Sequence, residues 1–159
     1  KFKWGRFRPH HGFVFGSATS IFAWLCHADV ATSMFDIFRF ALVMASVLGF
    51  WNLLYEVKAL QSGILHVYNQ PWAENKGVEA IAMDYSPWIF GGFGAAYGVT
   101  ISFAEYFAFK TGNITSFSAG LFIVFGTMLC LAIPVLGFMR SSRKRHGHNG
   151  TRPVERRWG

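Results

Sequence analysis

Acidic side chains and cysteines are scarce in this sequence. Only eight Asp and Glu oppose fifteen Lys and Arg, which gives a formal net charge of +7. Its two cysteines, Cys26 and Cys130, form no CxxC pattern, which excludes a disulfide framework and a cysteine zinc site. In the membrane topology predicted below, the two thiols differ in depth by roughly 13 Å at about 1.5 Å per residue, beyond the reach of a disulfide bond.

The short motifs of common enzyme classes are also missing. The sequence contains no GxGxxG, GxxxxGK[ST], HExxH or GxSxG pattern. Catalysis needs positioned acids, bases, nucleophiles or metals, and no such constellation is visible, so we predict neither a catalytic site nor a metal site. The basic termini are explained by membrane orientation, and no nucleic-acid partner is predicted. We therefore expect a protein that is not an enzyme.

Apolar and aromatic residues, by contrast, are abundant. Hydrophobic residues make up 52% of the 159-residue chain, with eighteen Phe and six Trp. This composition predicts a single all-α integral membrane domain, because a segment of about 20 apolar residues crosses a bilayer as a helix. We predict four transmembrane helices, at about 13–30, 38–57, 87–109 and 117–139. Ser86 followed by Pro87 predicts the start of the third, because a hydroxyl can cap the helix and proline favours its first position.

Small residues recur at every fourth position in three of the four predicted spans. Such a spacing leaves one helix face almost without side chains, which allows a second backbone to approach closely in lipid. We predict that these residues are helix-packing positions and that the third span is the one around which the others pack. The positions are Gly12, Gly16 and Ser20; Ala41, Ala45 and Gly49; and Gly94, Gly98 and Ser102.

Basic residues are concentrated on one predicted side of the membrane. The predicted organisation is a basic aromatic segment 1–12, a membrane domain 13–139 with an amphipathic loop 58–86, and a basic tail 140–159. Segments 1–12, 58–86 and 140–159 carry thirteen of the fifteen Lys and Arg. The positive-inside rule therefore places both termini on the same cytoplasmic or matrix side. Within the loop, the second helix is predicted to continue as an amphipathic extension that stops before Pro71.

Several ionisable residues are candidates for polar contacts near the span ends. Glu105 is expected to bond a Ser, Thr or Arg of a neighbouring helix, with proton transfer as the alternative. His27 is expected to be a hydrogen-bonded interfacial residue beside Asp29, with haem or metal ligation as the alternative. A basic cluster after the last span is predicted to bind anionic lipid or a partner subunit. It comprises Arg140, Arg143, Lys144 and Arg145.

One short segment resembles a known family. Residues 77–85, Gly-Val-Glu-Ala-Ile-Ala-Met-Asp-Tyr, are similar to the segment ending in Asp-Tyr in the small membrane-anchor subunits of succinate dehydrogenase (complex II). The resemblance covers nine of the 159 residues. It implies that Asp84 and Tyr85 would help to form a quinone pocket. The haem-ligand histidine that the family carries upstream falls near Glu74 in this sequence, which is a departure from the family pattern.

Together these features predict a non-catalytic accessory subunit of a multi-subunit energy-converting complex, in the respiratory chain or ATP synthase. We expect it in the mitochondrial inner membrane with both termini in the matrix, among other membrane subunits and a cardiolipin-like structural phospholipid. Bound haem or quinone is not expected. The alternatives are a quinone- or haem-binding anchor subunit of a redox enzyme such as complex II, and a free tetraspan scaffold. Since the sequence does not begin with Met, we expect that a targeting segment has been removed.

Overall fold

The computed structural model describes residues 9–65 and 76–150, with side chains from residue 13 onward. The described residues are 84% helical and contain no strand, which confirms the all-α prediction. The helices are α1 (Pro9–Cys26), α2 (Met34–Gln61), α3 (Val78–Ser86), α4 (Phe93–Thr111) and α5 (Ser116–His146). A π-helical segment, Pro87–Gly92, joins α3 directly to α4.

The second helix begins four residues before the predicted boundary at 38, because a capping box fixes its start. The Ser33 hydroxyl accepts a hydrogen bond from the Asp36 amide at 3.3 Å, and the Asp36 carboxylate accepts one from the Ser33 amide at 3.0 Å. This reciprocal pair satisfies two amides that the first helical turn leaves without partners. The Asp36 charge also suits the positive end of the helix dipole.

The second helix does continue past residue 57, but the amphipathic extension predicted to stop before Pro71 is helical only as far as Gln61. Helix α2 ends at Gln61, and Gly63 takes a positive φ of 69°. The amides of Ile64 and Leu65 then fold back onto the carbonyl of Ala59. A glycine in the left-handed region is a common helix stop because it lacks the Cβ that makes this conformation costly. Residues 66–75, including Glu74, lie outside the described part of the chain.

The Ser86-Pro87 helix start is also wrong, because the chain is already helical there. Ser86 has helical backbone angles (φ −56°, ψ −39°) and makes no side-chain cap. Its hydroxyl is buried without a hydrogen-bond partner among the described residues. Proline has no N–H to donate and its ring crowds the preceding turn, so the helix widens into a π-helical turn over Pro87–Gly92 instead of starting anew. Residues 78–111 therefore form one continuous helix.

The outer helix boundaries differ from the sequence prediction as well. Helix α1 begins at Pro9 and ends at Cys26, not at residues 13 and 30. Helix α5 ends at His146, and Gly147 caps it with a positive φ of 75°. The first part of the predicted tail 140–159 is therefore helical. Basic residues favour the last turn because they complement the negative end of the helix dipole. Residues 1–8 and 151–159 lie outside the described part.

Helix α4 lies between α2 and α5 and organises the packing. On its α2 side, it packs against a core formed by the buried α2 side chains Phe40, Met44 and Leu48. Ala23 of α1 belongs to the same core. Against α5, the rings of Phe103 and Phe107 pack around Phe122, with ring centres 6.1 and 5.3 Å away. Helix α1 packs beside α2, where the Phe22 and Trp51 ring centres are 5.5 Å apart.

Among the described residues, two helices are long and apolar enough to cross a membrane: α2 and α5. The Phe13–Cys26 part of α1 is a shorter apolar helix. Helix α4 does not pass the same test, since Gly, Thr and Ser residues and Glu105 dilute its apolar side chains. These lengths and compositions are compatible with a membrane protein. Two such helices do not by themselves establish four membrane spans.

Candidate functional site

A buried polar cluster forms where α2, α3 and α5 meet. Glu56, near the end of α2, is only 5% exposed, and its carboxylate accepts a hydrogen bond from the hydroxyl of Tyr85 on α3. Burial, followed by this hydrogen bond and the carboxylate charge, raises the pKa of the Tyr85 hydroxyl above its ordinary value. The phenol therefore stays protonated at neutral pH and remains a donor. It gives the buried carboxylate the partner that a polar group away from water requires.

Asp84, the neighbour of Tyr85, faces the end of α5. Its carboxylate lies 3.1 Å from the guanidinium of Arg145 and 2.9 Å from Nε2 of His146. Arg145 also donates a hydrogen bond to the backbone carbonyl of Asp84. The Asp84 side chain is 6% exposed, so the Arg145 guanidinium and the contact with the His146 ring offset the cost of removing a carboxylate from water. The contacts tie the last turn of α5 to α3 across 61 positions of sequence.

The structure brings Asp84 and Tyr85 into one cluster, but both side chains already have polar partners within the chain: Tyr85 bonds Glu56, and Asp84 contacts Arg145 and His146. A quinone headgroup would need these polar atoms for itself. A cavity of 370 Å³ between α1, α2 and the π-helical turn is lined by neither residue. Of the described histidines, His27 and His146 lie at opposite ends of the helices and each contacts a carboxylate, and the His148 ring stacks on that of His146 with 5.9 Å between ring centres. The arrangement suits the joining of three helices better than ligation.

A second polar contact forms at the other end of the helices. Glu105 of α4 lies 2.6 Å from Nε2 of His27, which follows α1, and its second oxygen accepts a hydrogen bond from the amide of Ala31 at 3.2 Å. The sequence prediction for Glu105 named Ser, Thr or Arg as partners, whereas the structure supplies a histidine and a backbone amide. The sequence prediction for His27, a hydrogen-bonded residue at a span end, named no partner, and the structure supplies Glu105. Glu105 links α1, α4 and the connection to α2.

Two of the three small-residue ladders face each other at the contact of α2 and α4. A Cβ placed on Gly98 would stand 2.8 Å from the Cα of Ala41, and one placed on Gly94 would stand 3.0 Å from the Cα of Ala45. Gly49 in turn approaches the backbone of Gly91, and Ser102 is 1% exposed. These distances leave no room for larger side chains, so the two backbones nearly touch.

The ladder on α1 is placed differently. Gly16 has no atom of another residue within 4 Å of the position that a Cβ would take, and the Ser20 hydroxyl donates to the Gly16 carbonyl of its own helix. Gly12 belongs to α1, in a stretch whose side chains are not described. No described helix backbone packs against Gly16, in contrast to the close contact between α2 and α4.

The four basic residues at the end of α5 do not behave as one group. Arg145 contacts Asp84, and Arg143 donates a hydrogen bond to the side chain of Asn149. Arg140 and Lys144 are exposed and lie four positions apart, which places them on the same face of the helix. Only part of this cluster is therefore available to an external anion without breaking contacts within the chain.

Sequence reasoning missed Glu56 and His146 as members of the buried cluster. Glu56 was visible as a lone acid at the end of a predicted span, and an intramembrane acid needs a partner. His146 carried no such signal because it stood within a run of basic residues. Among the described residues, no group of three or more His, Cys, Asp or Glu could hold a metal ion.

Comparisons with protein families, with curated proteins and with solved structures give no match to this chain. Function must therefore be argued from the chain itself.

Proposed function

We propose that the chain is a non-catalytic accessory subunit of a multi-subunit energy-converting membrane complex, in the respiratory chain or ATP synthase. The observation that carries the proposal is the apolar surface of α5. Phe117, Ile123 and Leu131 are 77, 69 and 65% exposed along this 31-residue helix. Soluble monomers rarely expose apolar patches this extensive. Lipid and the spans of neighbouring subunits would cover the surface.

In this proposal four helices cross the membrane in alternating directions. The contact of His27 with Glu105 joins the ends of α1 and α4, and the contact of Arg145 with Asp84 joins the end of α5 to the beginning of the α3–α4 helix. Both contacts are expected if α1 and α4 run one way and α2 and α5 the other. The two termini would then share the side that carries most Lys and Arg, the matrix side of the mitochondrial inner membrane.

An anionic phospholipid such as cardiolipin would bind at the end of α5. Arg140 and Lys144 are exposed on one face there, at the level where headgroups would lie in the proposed topology. Each basic residue near an anionic surface contributes about 1 kcal/mol, and Arg can clamp a phosphate through two parallel hydrogen bonds. Because Arg145 is engaged with Asp84, the pair Arg140 and Lys144 is the better test of lipid binding than the whole cluster.

The proposal is tested by native-gel migration of the tagged chain, followed by identification of the proteins that travel with it. Co-migration with subunits of a respiratory complex or ATP synthase would support it. For the lipid, the double variant Arg140→Gln with Lys144→Gln should bind anionic phospholipid about thirtyfold more weakly in native mass spectrometry, if two contacts of about 1 kcal/mol each are lost. Lys58→Gln, which removes an exposed charge from α2, is the control.

Other outcomes would favour the alternative functions. A haem b spectrum or a co-purifying quinone would favour the anchor subunit of a redox enzyme, to which residues 77–85 have their resemblance. Migration as a lone chain, with fractionation outside mitochondria, would favour a free tetraspan scaffold. Unchanged lipid content in the double variant would leave the basic residues as an orientation signal only.

A further inference from the structure

A cavity lies between α1, α2, the π-helical turn and the beginning of α4. It has a volume of 370 Å³, within the range of about 300–1,000 Å³ typical of ligand pockets. Four aromatic rings, Leu48 and Ile89 form most of its wall, and Gly16 leaves an opening in the α1 side. The rings belong to Phe15, Phe90, Phe93 and Tyr97.

The cavity offers few polar atoms to a ligand. The Ser20 hydroxyl is turned back onto the Gly16 carbonyl at 2.9 Å, and the Asn52 amide nitrogen onto the Leu48 carbonyl at 2.8 Å. Two of the polar side chains in the wall are therefore bonded within their own helices. Thr19 and Tyr97 add a hydroxyl each to a wall that is otherwise mainly apolar, and such a wall suits a hydrocarbon chain better than a polar headgroup.

The dimensions of the cavity also argue against a helix as its occupant. Contacts between α1 and α2 bracket it along α1, at the Phe15–Tyr55 ring pair (6.4 Å between centres) and at the Phe22–Trp51 pair (5.5 Å). A helix with its side chains is about 10–12 Å across and would force these pairs apart. An extended chain of methylene groups has no such requirement.

We infer that this cavity binds one acyl chain of a membrane phospholipid, held between α1 and the π-helical turn. The inference rests on the proposed membrane setting, in which the solvent around α1 is lipid. Because α1 packs mainly against α2 and makes few close contacts with α4, the gap would otherwise leave aromatic side chains without van der Waals partners. The lipid acts as a filler that fixes α1, the helix with the fewest close backbone contacts to the rest of the described chain.

The test is a cavity-filling substitution that the fold can tolerate. Gly16→Leu adds a side chain where the structure has no neighbouring atom within 4 Å, so it should fold and occupy the cavity itself. Gly120→Leu is the matched control, since Gly120 is equally open and lies on α5, away from the cavity. Each full-length variant is reconstituted in nanodiscs of phosphatidylcholine that carries a photoreactive diazirine on one acyl chain.

We expect cross-links concentrated at residues 15–20 and 89–97 in the unaltered chain and in Gly120→Leu, and loss of these cross-links in Gly16→Leu. Native mass spectrometry of the chain from its own membranes should show that Gly16→Leu retains one phospholipid fewer than the unaltered chain, while the lipid proposed at Arg140 and Lys144 stays. Labelling spread evenly over the exposed faces of α1 and α5, or an isoprenoid lipid or polypeptide found at this face, would overturn the inference. Extraction by alkaline carbonate separates the two claims, because a chain released from the membrane refutes the membrane setting itself.

Discussion

At the scale of single residues, the buried pair of Glu56 and Tyr85 places a carboxylate and a phenol away from water. A carboxylate that is 5% exposed needs a donor, and the phenol of Tyr85 supplies it. Removing one partner from such a pair costs the desolvation of the group left behind, about 1–3 kcal/mol. The pair therefore fixes the position of α3 against the end of α2.

Tyr85→Phe keeps the ring and removes the hydroxyl. We expect it to lower the free energy of unfolding by about 1–3 kcal/mol, because Glu56 is left buried without this donor. Tyr55→Phe is the matched control, since Tyr55 is 54% exposed and its recorded contact with Phe15 involves only the ring. Thermal or denaturant unfolding in detergent measures both variants. Equal stability of the two would show that the Tyr85 hydroxyl does not support Glu56.

Because of Tyr85, we also expect the free energy of unfolding to fall at alkaline pH. Burial and the Glu56 carboxylate raise the pKa of Tyr85 above its ordinary value near 10, so the folded state holds the phenolic proton more tightly than the unfolded state. The resulting stability is fully present below that ordinary value and is lost as the pH rises above it. Unfolding measured from neutral to strongly alkaline pH should show a steeper decline for the unaltered chain than for Tyr85→Phe. Parallel curves would contradict the prediction.

The sequence shows the members of this cluster without showing that they meet. Asp84 and Tyr85 were candidate site residues because of a family resemblance, and Arg145 was one because it belongs to the basic cluster of the tail. Their contacts depend on how far α5 continues, and hydropathy alone places the end of this span near residue 139. Because the helix runs on to His146, Arg145 and His146 reach Asp84. A contact over 61 positions follows from helix length and packing, which the local pattern does not encode.

At the scale of helices, hydropathy predicted the existence of the segments better than their ends. The four apolar segments all correspond to helices, whereas their boundaries follow caps and glycines. The sequence contains signals for these ends. Ser33 followed by Asp36 is a helix-start signal, and Gly63 and Gly147, which take a positive φ in the structure, are helix-stop signals. Ser86-Pro87 shows the opposite case, where a plausible cap signal is overridden because α3 and α4 are one continuous helix.

The contact of α2 with α4 makes a prediction at this scale. Gly98→Ala or Gly94→Ala places a methyl group against the backbone of Ala41 or Met44, which cannot yield as a flexible side chain can. Overpacking of this kind costs about 1–3 kcal/mol, and we expect lower thermal stability in detergent for both variants. Gly120→Ala is the control, because its methyl group meets open space. Normal stability of both core variants would mean that α2 and α4 are not held this closely.

At the scale of the whole molecule, polar contacts at both ends enclose an apolar middle. Glu105 joins α1 and α4 at one end, and Asp84 joins α3 and α5 at the other. Between them the α2–α4 contact relies on small residues and the outer surface of α5 is apolar. Placing the polar contacts at helix ends is what a bilayer favours, because charges cost least near the headgroups.

This arrangement predicts the topology directly. The turn at Gly112, between α4 and α5, and Gly147, after α5, should lie on opposite sides of the membrane, since a 31-residue helix at about 1.5 Å per residue exceeds the roughly 30 Å of hydrocarbon. Both glycines occupy left-handed positions, so cysteines for labelling are better placed at their neighbours Asn113 and His148, after Cys26 and Cys130 are changed to Ala. We expect a membrane-impermeant maleimide to label one site in sealed vesicles and the other only after permeabilisation, with tags at the two chain ends reacting from the His148 side.

Labelling of both cysteines from one side would mean that α5 does not cross the membrane. Chain ends that react from opposite sides would leave an odd number of crossings and refute the four-helix topology.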